Sequence, residues 1–388
     1  MAAKKKTGLD QARIAKFDAA FQKDYGEGTL TSDEIRPYEV IPTGSLALDF
    51  ALGVGGWVLG RESEIWGIDA VGKTTLIIQS VREAQRKFPD RLVFWVDAEH
   101  TFDKPWARLH GVDLARLRVF APESAEDVAD AVKDAVRSDL FVMVVVDSIG
   151  AMIPEAEKEK DADGVVMAAQ AKIVTRMVKI AAVECFKHNA ALVLINQVRA
   201  NVSGFGKATM TGGGWALRHS TTHKIELKRT DKAFKINQEG KEQEVGHEVA
   251  CLVERNKVAP PRKRASFVLF HTPTSKYGPA GFDRADEVAT MGIKTGVIAQ
   301  SGAWYTFGTT GERVQGRDAV VDALRAMGQE HMDEIREQVL ATIADQIVTG
   351  ADVEVDLDED ADMDLTHLVE GGTGLYDDKS KDKQEATA

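Results

Sequence analysis

Cysteine is almost absent from this chain of 388 residues, and so are long apolar runs. Cys185 and Cys251 are the only cysteines, too few for a disulfide framework or a zinc ribbon, and such sparse use is typical of a reducing cytoplasm. The longest apolar stretch, 141–153, is interrupted by Asp147 and falls short of the roughly 18 residues of a membrane-spanning helix. The lysines near the start precede no apolar stretch, so no secretory signal is expected. The sequence therefore predicts a cytoplasmic protein that does not cross a membrane.

Charge of one sign is also scarce, except at the end of the chain. The formal net charge is −12, and residues 351–388 contribute most of it, with thirteen acidic residues and three lysines. The rest of the chain is close to neutral, which does not exclude a nucleic-acid partner, because basic residues can still cluster locally. The closing segment has few aromatic residues and many acids, and this composition predicts disorder from 349 to 388.

What the sequence does contain is a glycine-rich loop with a lysine, at 67–75. The segment has the pattern G-x-x-x-x-G-K-T, between the end of a predicted strand and the start of a predicted helix. In this pattern backbone N–H groups surround phosphate oxygens, the lysine contacts the β- and γ-phosphates, and the threonine hydroxyl binds Mg²⁺. The predicted nucleotide-binding residues are Gly67, Ile68, Asp69, Ala70, Val71, Gly72, Lys73, Thr74 and Thr75. The alternative, a chance glycine-rich turn, fits the strand–loop–helix setting poorly.

Three apolar runs elsewhere predict buried strands that each end in a polar residue. Segments 92–97, 142–147 and 192–197 are rich in Val, Ile and Leu, with helical stretches between them at about 124–138 and 166–188. Continuous apolar strands separated by helices are typical of a parallel sheet that is covered on both faces. Ligands of such sheets bind beyond the carboxyl ends of the strands. The polar residues there are therefore candidates for the same site as the phosphate loop.

Those polar residues have the chemistry that ATP hydrolysis needs. Asp147 ends the most apolar run, where a carboxylate can hold Mg²⁺, although a solitary Asp after a strand is often a helix cap. Glu99 lies just beyond the first run and can orient and deprotonate a water molecule, although Glu99, Asp97 and His100 could each be structural. Gln197 ends the third run, where an amide can hydrogen-bond a γ-phosphate and respond to its loss.

Two irregular segments follow these strands. Residues 198–212 are glycine-rich, lack periodicity and include Arg199, Phe205 and Lys207. This composition predicts a mobile loop that contacts phosphates and stacks on bases, with an ordinary surface loop as the alternative. Residues 155–164 are highly charged, and a solvated loop is the simpler interpretation.

Cations cluster at 255–264, where Arg255 and Lys257 precede a proline pair and three more basic residues. Such side chains could reach a γ-phosphate bound to a neighbouring subunit, as arginine fingers do, or could simply be solvated. Outside this part, residues 8–24 predict an amphipathic helix, and 281–348 predict helices around a short strand at 304–307.

Taken together, these segments resemble the bacterial RecA recombinase family. The resemblance covers about residues 8–330, with matching order and spacing of the motifs. Besides the phosphate loop, the shared stretches are 43–49, 96–100, 145–148, 195–199, 211–213, 256–260 and 302–305. A phosphate loop alone is weak evidence for a recombinase, whereas this ordered set is specific.

The resemblance implies an α/β fold with four parts. These are an N-terminal oligomerisation helix and linker at 1–38, a RecA-like P-loop ATPase core with a mainly parallel sheet at 39–272, a small C-terminal α+β domain at 273–348, and the acidic tail at 349–388. In the family the N-terminal helix docks on the adjacent subunit, so a helical filament is implied.

The resemblance also implies roles for individual residues. Glu99 would activate the hydrolytic water, and Gln197 would couple the γ-phosphate to the loop that follows it. The other catalytic residues implied are Lys73, Arg255 and Lys257, the last two acting across the subunit interface. Thr74 and Asp147 would bind Mg²⁺, and Asp103 and Trp106 would contact adenine. Segments 155–166 and 198–212 match the two DNA-binding loops of the family. The implied DNA-binding residues are Arg176, Arg199, Asn201, Val202, Phe205, Lys207, Gly212 and Gly213.

Several positions depart from the family pattern. Arg255 stands where the family has one of a pair of lysines, and the two side chains are not interchangeable. Asn201 replaces a basic residue, which should weaken a phosphate contact. Val165 and Val166 lie near an expected Met–Gly pair, and residues 218–219 are Arg–His where Lys–Phe is usual. These changes indicate a diverged member, and a phage origin is one interpretation.

The function that the resemblance implies is ATP-dependent homologous recombination. The protein would form a filament on single-stranded DNA with ATP and Mg²⁺, pair it with homologous double-stranded DNA, and exchange strands during DNA repair and the SOS response. A ring-forming helicase, a filament that only protects single strands, and a related repair ATPase remain as alternatives. The last is disfavoured because no cysteine cluster precedes the core.

Overall fold

The computed structural model describes residues 11–25, 38–158, 167–200, 209–211, 217, 219–238 and 241–349. By its internal contacts the chain divides after Tyr38 into two units. The described part of the first unit contains one helix, α1 (Gln11–Tyr25), where the sequence predicted an amphipathic helix. Phe17, on its apolar stripe, is 58% exposed. The linker and the acidic tail that the sequence predicted lie outside the described residues, apart from Tyr38 and Thr349.

The second unit combines a large sheet with helices on both faces. Its helices are α2 (Leu46–Leu52), α3 (Lys73–Lys87), α4 (Lys104–Leu109), α5 (Ala125–Arg137), α6 (Glu155–Lys158), α7 (Met167–His188), α8 (Arg284–Thr295), α9 (Arg317–Met327) and α10 (Gln329–Thr349). Its strands are β1 (Val40–Ile41), β2 (Trp57–Val58), β3 (Glu62–Gly67), β4 (Leu92–Asp97), β5 (Leu117–Phe120), β6 (Phe141–Asp147), β7 (Ala191–Ala200), β8 (Thr209–Thr211), β9 (His223–Gln238), β10 (Lys241–Asn256), β11 (Arg264–Phe270), β12 (Gly281–Phe282), β13 (Ile298–Ser301), β14 (Trp304–Phe307) and β15 (Arg313–Gln315). The three strands and two helices predicted around the site are all present.

The large sheet has the strand order β12-β11-β10-β9-β3-β7-β6-β4-β5, and β8 pairs with the end of β7. The strands from β9 to β5 in this order run parallel, which confirms the predicted α/β fold with a mainly parallel sheet. The sequence predicts that strands and helices alternate from about 40 to 270, but in the structure this alternation ends at β9. Strands β9 to β12 follow one another as antiparallel neighbours without an intervening helix. Alternate residues are buried in 223–227 of β9 and in 247–253 of β10, which is the pattern of strands with one solvent-exposed face.

Two apolar layers hold the helices onto this sheet. One layer contains Trp57, Trp95 and Leu76 and includes α3; the other contains Val128 and Val178 and includes α5 and α7. All seven residues of β6 are buried, so this strand crosses the middle of the core and carries its terminal Asp147 to the carboxyl edge. No helix in the described part of the chain is both long and apolar enough to cross a membrane.

The C-terminal helices α8, α9 and α10 pack with the three-stranded antiparallel sheet β13-β14-β15 around their own apolar cluster. The sequence predicted helices around a strand at 304–307, and strand β14 is found at those residues. Leu46 of α2 is part of the same cluster, so the C-terminal part is joined to the large sheet by apolar packing. The numerical domain boundaries stay a prediction.

Two carboxyl groups are buried where α2 meets α8. Asp49 accepts a hydrogen bond from the Thr43 backbone N–H (2.7 Å), and its second oxygen has no hydrogen-bond partner among the residues that the structure describes. Glu287 accepts a hydrogen bond from the Ser45 hydroxyl. Burial raises the pKa of Asp49 to about 8 and that of Glu287 to about 7. At a pH between its unfolded and its folded pKa, each group therefore holds a proton in the folded chain that it releases in the unfolded chain.

This burial makes the free energy of unfolding depend on pH. Because the unfolded Asp49 ionises near 3.8 and the folded one near 8, the folded state binds more protons between these values, and stability falls as pH rises through them. We expect Asp49→Asn to flatten this fall, which for one group cannot exceed about 1.4 kcal/mol per pH unit. Urea unfolding at pH 6, 7 and 8 measures it, with Asp130→Asn on the surface of α5 as the control. Equal slopes in all three proteins would contradict the expectation.

Candidate active site

The phosphate loop connects β3 to α3 through backbone conformations that favour small residues. Gly72 precedes α3 with φ +104°, and Ala70 has φ +58°. A Cβ atom at Gly72 would lie 2.7 Å from Leu269 Cδ2, and one at Gly67 would lie 2.5 Å from the Leu227 carbonyl oxygen. The two glycines of the motif are thus required by close approach of β9 and β11, and at Gly72 also by its backbone conformation. Helix α3 begins at Lys73, so its free N–H groups lie beside the loop.

Lys73 lies inside the loop. Its Nζ donates to the carbonyl oxygens of Gly67 (2.9 Å) and Ile68 (2.8 Å). Burial lowers the pKa of Lys73, and the nearby carboxylates of Asp69, Asp147 and Glu99 oppose this shift. Within the described residues the ammonium group thus donates its hydrogen bonds to carbonyl oxygens, which a phosphate group can replace as a stronger partner.

Thr74 and Asp147 meet at the start of α3. The Thr74 hydroxyl donates to Asp147 Oδ2 over 2.9 Å. Burial raises the pKa of Asp147 to about 7, while the hydrogen bond from Thr74 lowers it and the neighbouring Glu99 and Asp97 raise it further. A divalent cation would relieve this crowding of negative charge, since it favours the ionised carboxylate. The pair supplies the hydroxyl and carboxylate oxygens that Mg²⁺ takes from proteins when phosphates provide further ligands.

The same edge brings Glu99 and Gln197 together. Gln197 Nε2 donates to Glu99 Oε1 over 2.8 Å, although the two residues are 98 positions apart in the chain. Glu99 is carried by a turn after β4, in which the N–H groups of Ala98 and Glu99 donate to the Asp147 carbonyl oxygen. Gln197 lies opposite Gly67, the last residue of β3, so the carboxylate, the amide and the Thr74–Asp147 pair all lie at the edge of the sheet where β3, β4 and β6 end.

Asp97 has a structural contact that distinguishes it from Glu99. Its two carboxylate oxygens accept hydrogen bonds from the backbone N–H groups of Thr101 (3.1 Å) and Phe102 (2.9 Å). Asp97 thus holds the turn that presents Glu99, which is a structural contact, and the role of Glu99 stays a prediction. Among the described residues no group of three or more His, Cys, Asp or Glu side chains could hold a metal ion by itself.

The two residues proposed to contact adenine lie at the start of α4. The Asp103 carboxylate caps this helix by accepting the Trp106 backbone N–H (2.9 Å). The Trp106 indole Nε1 lies 3.4 Å from the Thr75 hydroxyl, so the ring rests against the first turn of α3. Capping does not by itself require Asp103 rather than Ser or Asn, and within the described part of the chain the second Asp103 oxygen has no hydrogen-bond partner.

Arg255 and Lys257 lie far from this edge. Arg255 lies opposite Lys224 in the β9–β10 ladder. The Lys257 backbone N–H donates to the carbonyl oxygen of Thr222, whose own N–H donates to Glu62, the first residue of β3. The Lys257 ammonium donates to the Ser220 carbonyl oxygen over 2.7 Å. Both cations are therefore toward the amino end of β3, whereas the phosphate loop follows its carboxyl end.

Few of the residues predicted to bind DNA can be placed. Arg176 is exposed on α7, and Arg199 is in the last part of β7. Asn201, Val202, Phe205, Lys207, Gly212 and Gly213 lie outside the described residues, as do Val165 and Val166. The predicted loop 198–212 is partly regular, because 198–200 pair with 209–211 as an antiparallel ribbon. The first residue of this loop directly follows Gln197 in β7.

Two buried histidines that the sequence analysis did not single out lie near the site. His110 is in edge-to-face contact with Trp106, with ring centroids 4.5 Å apart. It lies four positions after Trp106, the spacing of neighbours on one helix face, so periodicity could have identified it. His247 lies opposite Leu269 in the β10–β11 ladder, and Leu269 contacts the loop at Gly72. No local pattern reveals this second contact, since it depends on pairing between strands.

Comparison with known proteins agrees with the geometry. The RecA N-terminal domain family matches residues 13–274, and the RecA C-terminal domain family matches residues 286–344. Protein RecA of Chlorobium limicola is 33% identical over 359 residues, which cover 89% of this chain and 97% of that protein. Protein RecA of Thermotoga neapolitana is 36% identical over 313 residues, covering 78% and 85%. Protein RecA of Thermus thermophilus is 33% identical over 336 residues, covering 86% and 94%. The chain is therefore a diverged member of the RecA family.

Proposed function

We propose that this chain is an ATP-dependent homologous recombinase, which forms a filament on single-stranded DNA and exchanges strands with homologous duplex. The observation that carries the proposal is the hydrogen bond between Gln197 and Glu99. It joins the carboxylate best placed to activate water to the strand that leads into the predicted DNA-binding loop. A change at the nucleotide can therefore be transmitted to DNA through one side chain.

ATP is the nucleotide and Mg²⁺ the cation that the donor set fits. The loop offers backbone N–H groups and Lys73 for phosphates, and Thr74 with Asp147 offers oxygen ligands for one small divalent cation. Mg²⁺ would neutralise charge on the phosphates when bound. Trp106, resting on Thr75, offers an aromatic surface to the base, and the free oxygen of Asp103 offers an acceptor.

Glu99 acts as the general base of hydrolysis. Its Oε1 accepts from Gln197, which leaves its other oxygen to orient and deprotonate a water molecule. Asp97 is less suited to this role, because both of its oxygens accept backbone hydrogen bonds that hold it in the turn. Gln197 in turn can exchange Glu99 for a γ-phosphate oxygen, so loss of that phosphate changes its partner and the position of the loop after β7.

Arg255 and Lys257 act on the nucleotide of a neighbouring subunit. Lys257 is level with the start of β3, and the six residues of this strand span about 17 Å before the phosphate loop begins. A lysine side chain cannot bridge that distance within one subunit. The N-terminal helix α1 supports assembly, because the exposed Phe17 is available to dock on another copy.

Mixed filaments test this action in trans. We expect Lys257→Ala and Glu99→Gln each to abolish hydrolysis alone, and a 1:1 mixture to recover activity, because an intact site then faces an intact lysine at about a quarter of random interfaces. The measurement is DNA-dependent ATP turnover against the mixing ratio. Absence of recovery, with both variants folded and bound to DNA, would place the lysine's effect within its own subunit. Arg255→Ala should behave as Lys257→Ala does.

The partners that follow are single-stranded DNA, homologous duplex DNA and further copies of this chain, in the cytoplasm. Electron microscopy with DNA-stimulated ATP hydrolysis tests this assembly. Open helical filaments on single strands, with turnover that depends on DNA, support the proposal. Closed hexameric rings that unwind duplex would instead support the ring-forming helicase, the second function compatible with this ATPase core.

A further inference from the structure

A row of hydrogen-bonded side chains, buried at Gln79 and His110 and half-buried at Arg284, connects the helix after the phosphate loop to the first residue of the C-terminal helix α8. Arg284 Nη2 lies 3.4 Å from Gln79 Oε1, and Gln79 Nε2 lies 2.6 Å from His110 Nδ1. Gln79 is on α3, His110 follows α4, and Arg284 begins α8. Three elements that are distant in sequence therefore meet through side-chain hydrogen bonds.

These hydrogen bonds determine which ring nitrogen of His110 carries the proton. A guanidinium group only donates, so Arg284 requires the carbonyl oxygen of the Gln79 amide, and the Gln79 NH₂ group must face His110. His110 Nδ1 then accepts, and the proton of the neutral ring is on Nε2. Burial, with a smaller contribution from Arg82, lowers the pKa of His110 to about 4, so the ring stays neutral at physiological pH.

The packing around Gln79 and His110 leaves these side chains little room to move. A Cβ atom at Gly281 would lie 2.7 Å from His110 Cε1, and one at Gly44 would lie 2.6 Å from Gln79 Cβ. Gly281 is followed by Phe282 and by Asp283, the residue that caps α8. A shift of α8 therefore carries both Arg284 and the backbone that closes over His110.

At the other end of this row of side chains, His110 contacts the Trp106 indole. His110 Nε2 is buried, and no oxygen or nitrogen acceptor among the described residues bonds to it. The rings of His110 and Trp106 are nearly perpendicular, at 79°, with centroids 4.5 Å apart. This edge-to-face arrangement is one that aromatic rings favour and in which an N–H can meet an aromatic face.

We propose that Arg284, Gln79 and His110 form a positioning device that holds the Trp106 indole and makes nucleotide affinity depend on how α8 is seated. The inference rests on the proposed function, because it takes Trp106 to contact the base. Its consequence is that a residue of the C-terminal part, remote from the phosphates, controls ATP binding. None of the three residues touches the reacting atoms, so the turnover number at saturating ATP does not depend on them.

Substitutions at Arg284 test the device with little risk to folding, since this side chain is only half-buried. We expect Arg284→Gln to raise KM for ATP and Kd for ADP about 3- to 10-fold with kcat unchanged, because the Gln79 amide is then free to reverse. Arg284→Lys keeps a donor-only group and should retain most of the affinity. Arg317→Gln is the matched control, because Arg317 pairs with Asp286 of α8 but does not reach Gln79.

A double-variant cycle separates positioning from general packing. In a Trp106→Ala background, Arg284→Gln should have no further effect on Kd for ADP, and His110→Leu, checked by thermal melting, should match Arg284→Gln in the wild-type background. Equal Kd values for wild type and Arg284→Gln, or an undiminished effect without Trp106, would overturn the inference. Failure of the wild-type chain to bind ADP would instead overturn the proposed nucleotide function.

Discussion

Replacing Glu99 with Gln should reduce ATP turnover by about 10²- to 10⁴-fold, the contribution typical of a positioned general base. An amide cannot take the proton of the attacking water. Its carbonyl oxygen can still accept the hydrogen bond that Gln197 donates to Glu99 over 2.8 Å, so the structure of the site should persist. ATP and DNA binding should therefore remain, and filaments should become longer-lived because hydrolysis no longer releases them.

Two readouts are needed to interpret this variant. Steady-state phosphate release measures the loss of turnover, and retention of labelled ATP on filaments measures binding. Glu123→Gln, an exposed carboxylate before α5, provides the control with the same chemical change and should behave as wild type. Preserved turnover in Glu99→Gln would remove Glu99 from the role of base.

Replacing Lys73 with Ala should weaken ATP binding by about 10²-fold or more, since charge-assisted hydrogen bonds to phosphates contribute roughly 1.5–3 kcal/mol each. The ammonium group donates to the carbonyl oxygens of Gly67 and Ile68, so its charge lies inside the phosphate loop. Lys73→Arg should also fail, because a planar guanidinium does not fit the place of a compact ammonium. Loss of binding should remove hydrolysis and joint-molecule formation together.

Helix α3 offers a matched control for this variant. Lys87, at the other end of the helix, also donates to a backbone carbonyl oxygen, that of Val40, over 2.8 Å. Lys87→Ala removes the same number of atoms and the same kind of hydrogen bond without touching the loop. Calorimetric titration with ATP and Mg²⁺ compares the two. Equal affinities for wild type and Lys73→Ala would contradict the assignment of the loop.

The sequence predicted those parts of the site that local patterns encode. The G-x-x-x-x-G-K-T spacing identified the loop, and the ends of three apolar runs identified Asp147, Glu99 and Gln197. Parallel strands place their carboxyl ends at one edge, so these side chains were expected together, and the structure brings them there. What each residue does there stays a proposal that the variants above address.

Other contacts depend on pairings that no local pattern contains. The sequence analysis did not predict the antiparallel strands from β9 to β12. In a single sequence, strands with alternating residues of moderate hydrophobicity are hard to distinguish from loops and amphipathic helices. The separation of Lys257 from the phosphate loop follows from the register of those strands. The contacts of Gln79 with His110 and Arg284 join residues 31 and 205 positions apart, and only the folded chain reveals them.

Strand exchange between a circular single strand and its homologous linear duplex tests the account most directly. Reactions with ATP, with ADP and without nucleotide, each with Mg²⁺, are compared by gel electrophoresis of joint molecules. We expect joint molecules with ATP only, and none with non-homologous duplex. DNA coating and ATP turnover without joint molecules would contradict the recombinase function and leave a filament that protects single strands.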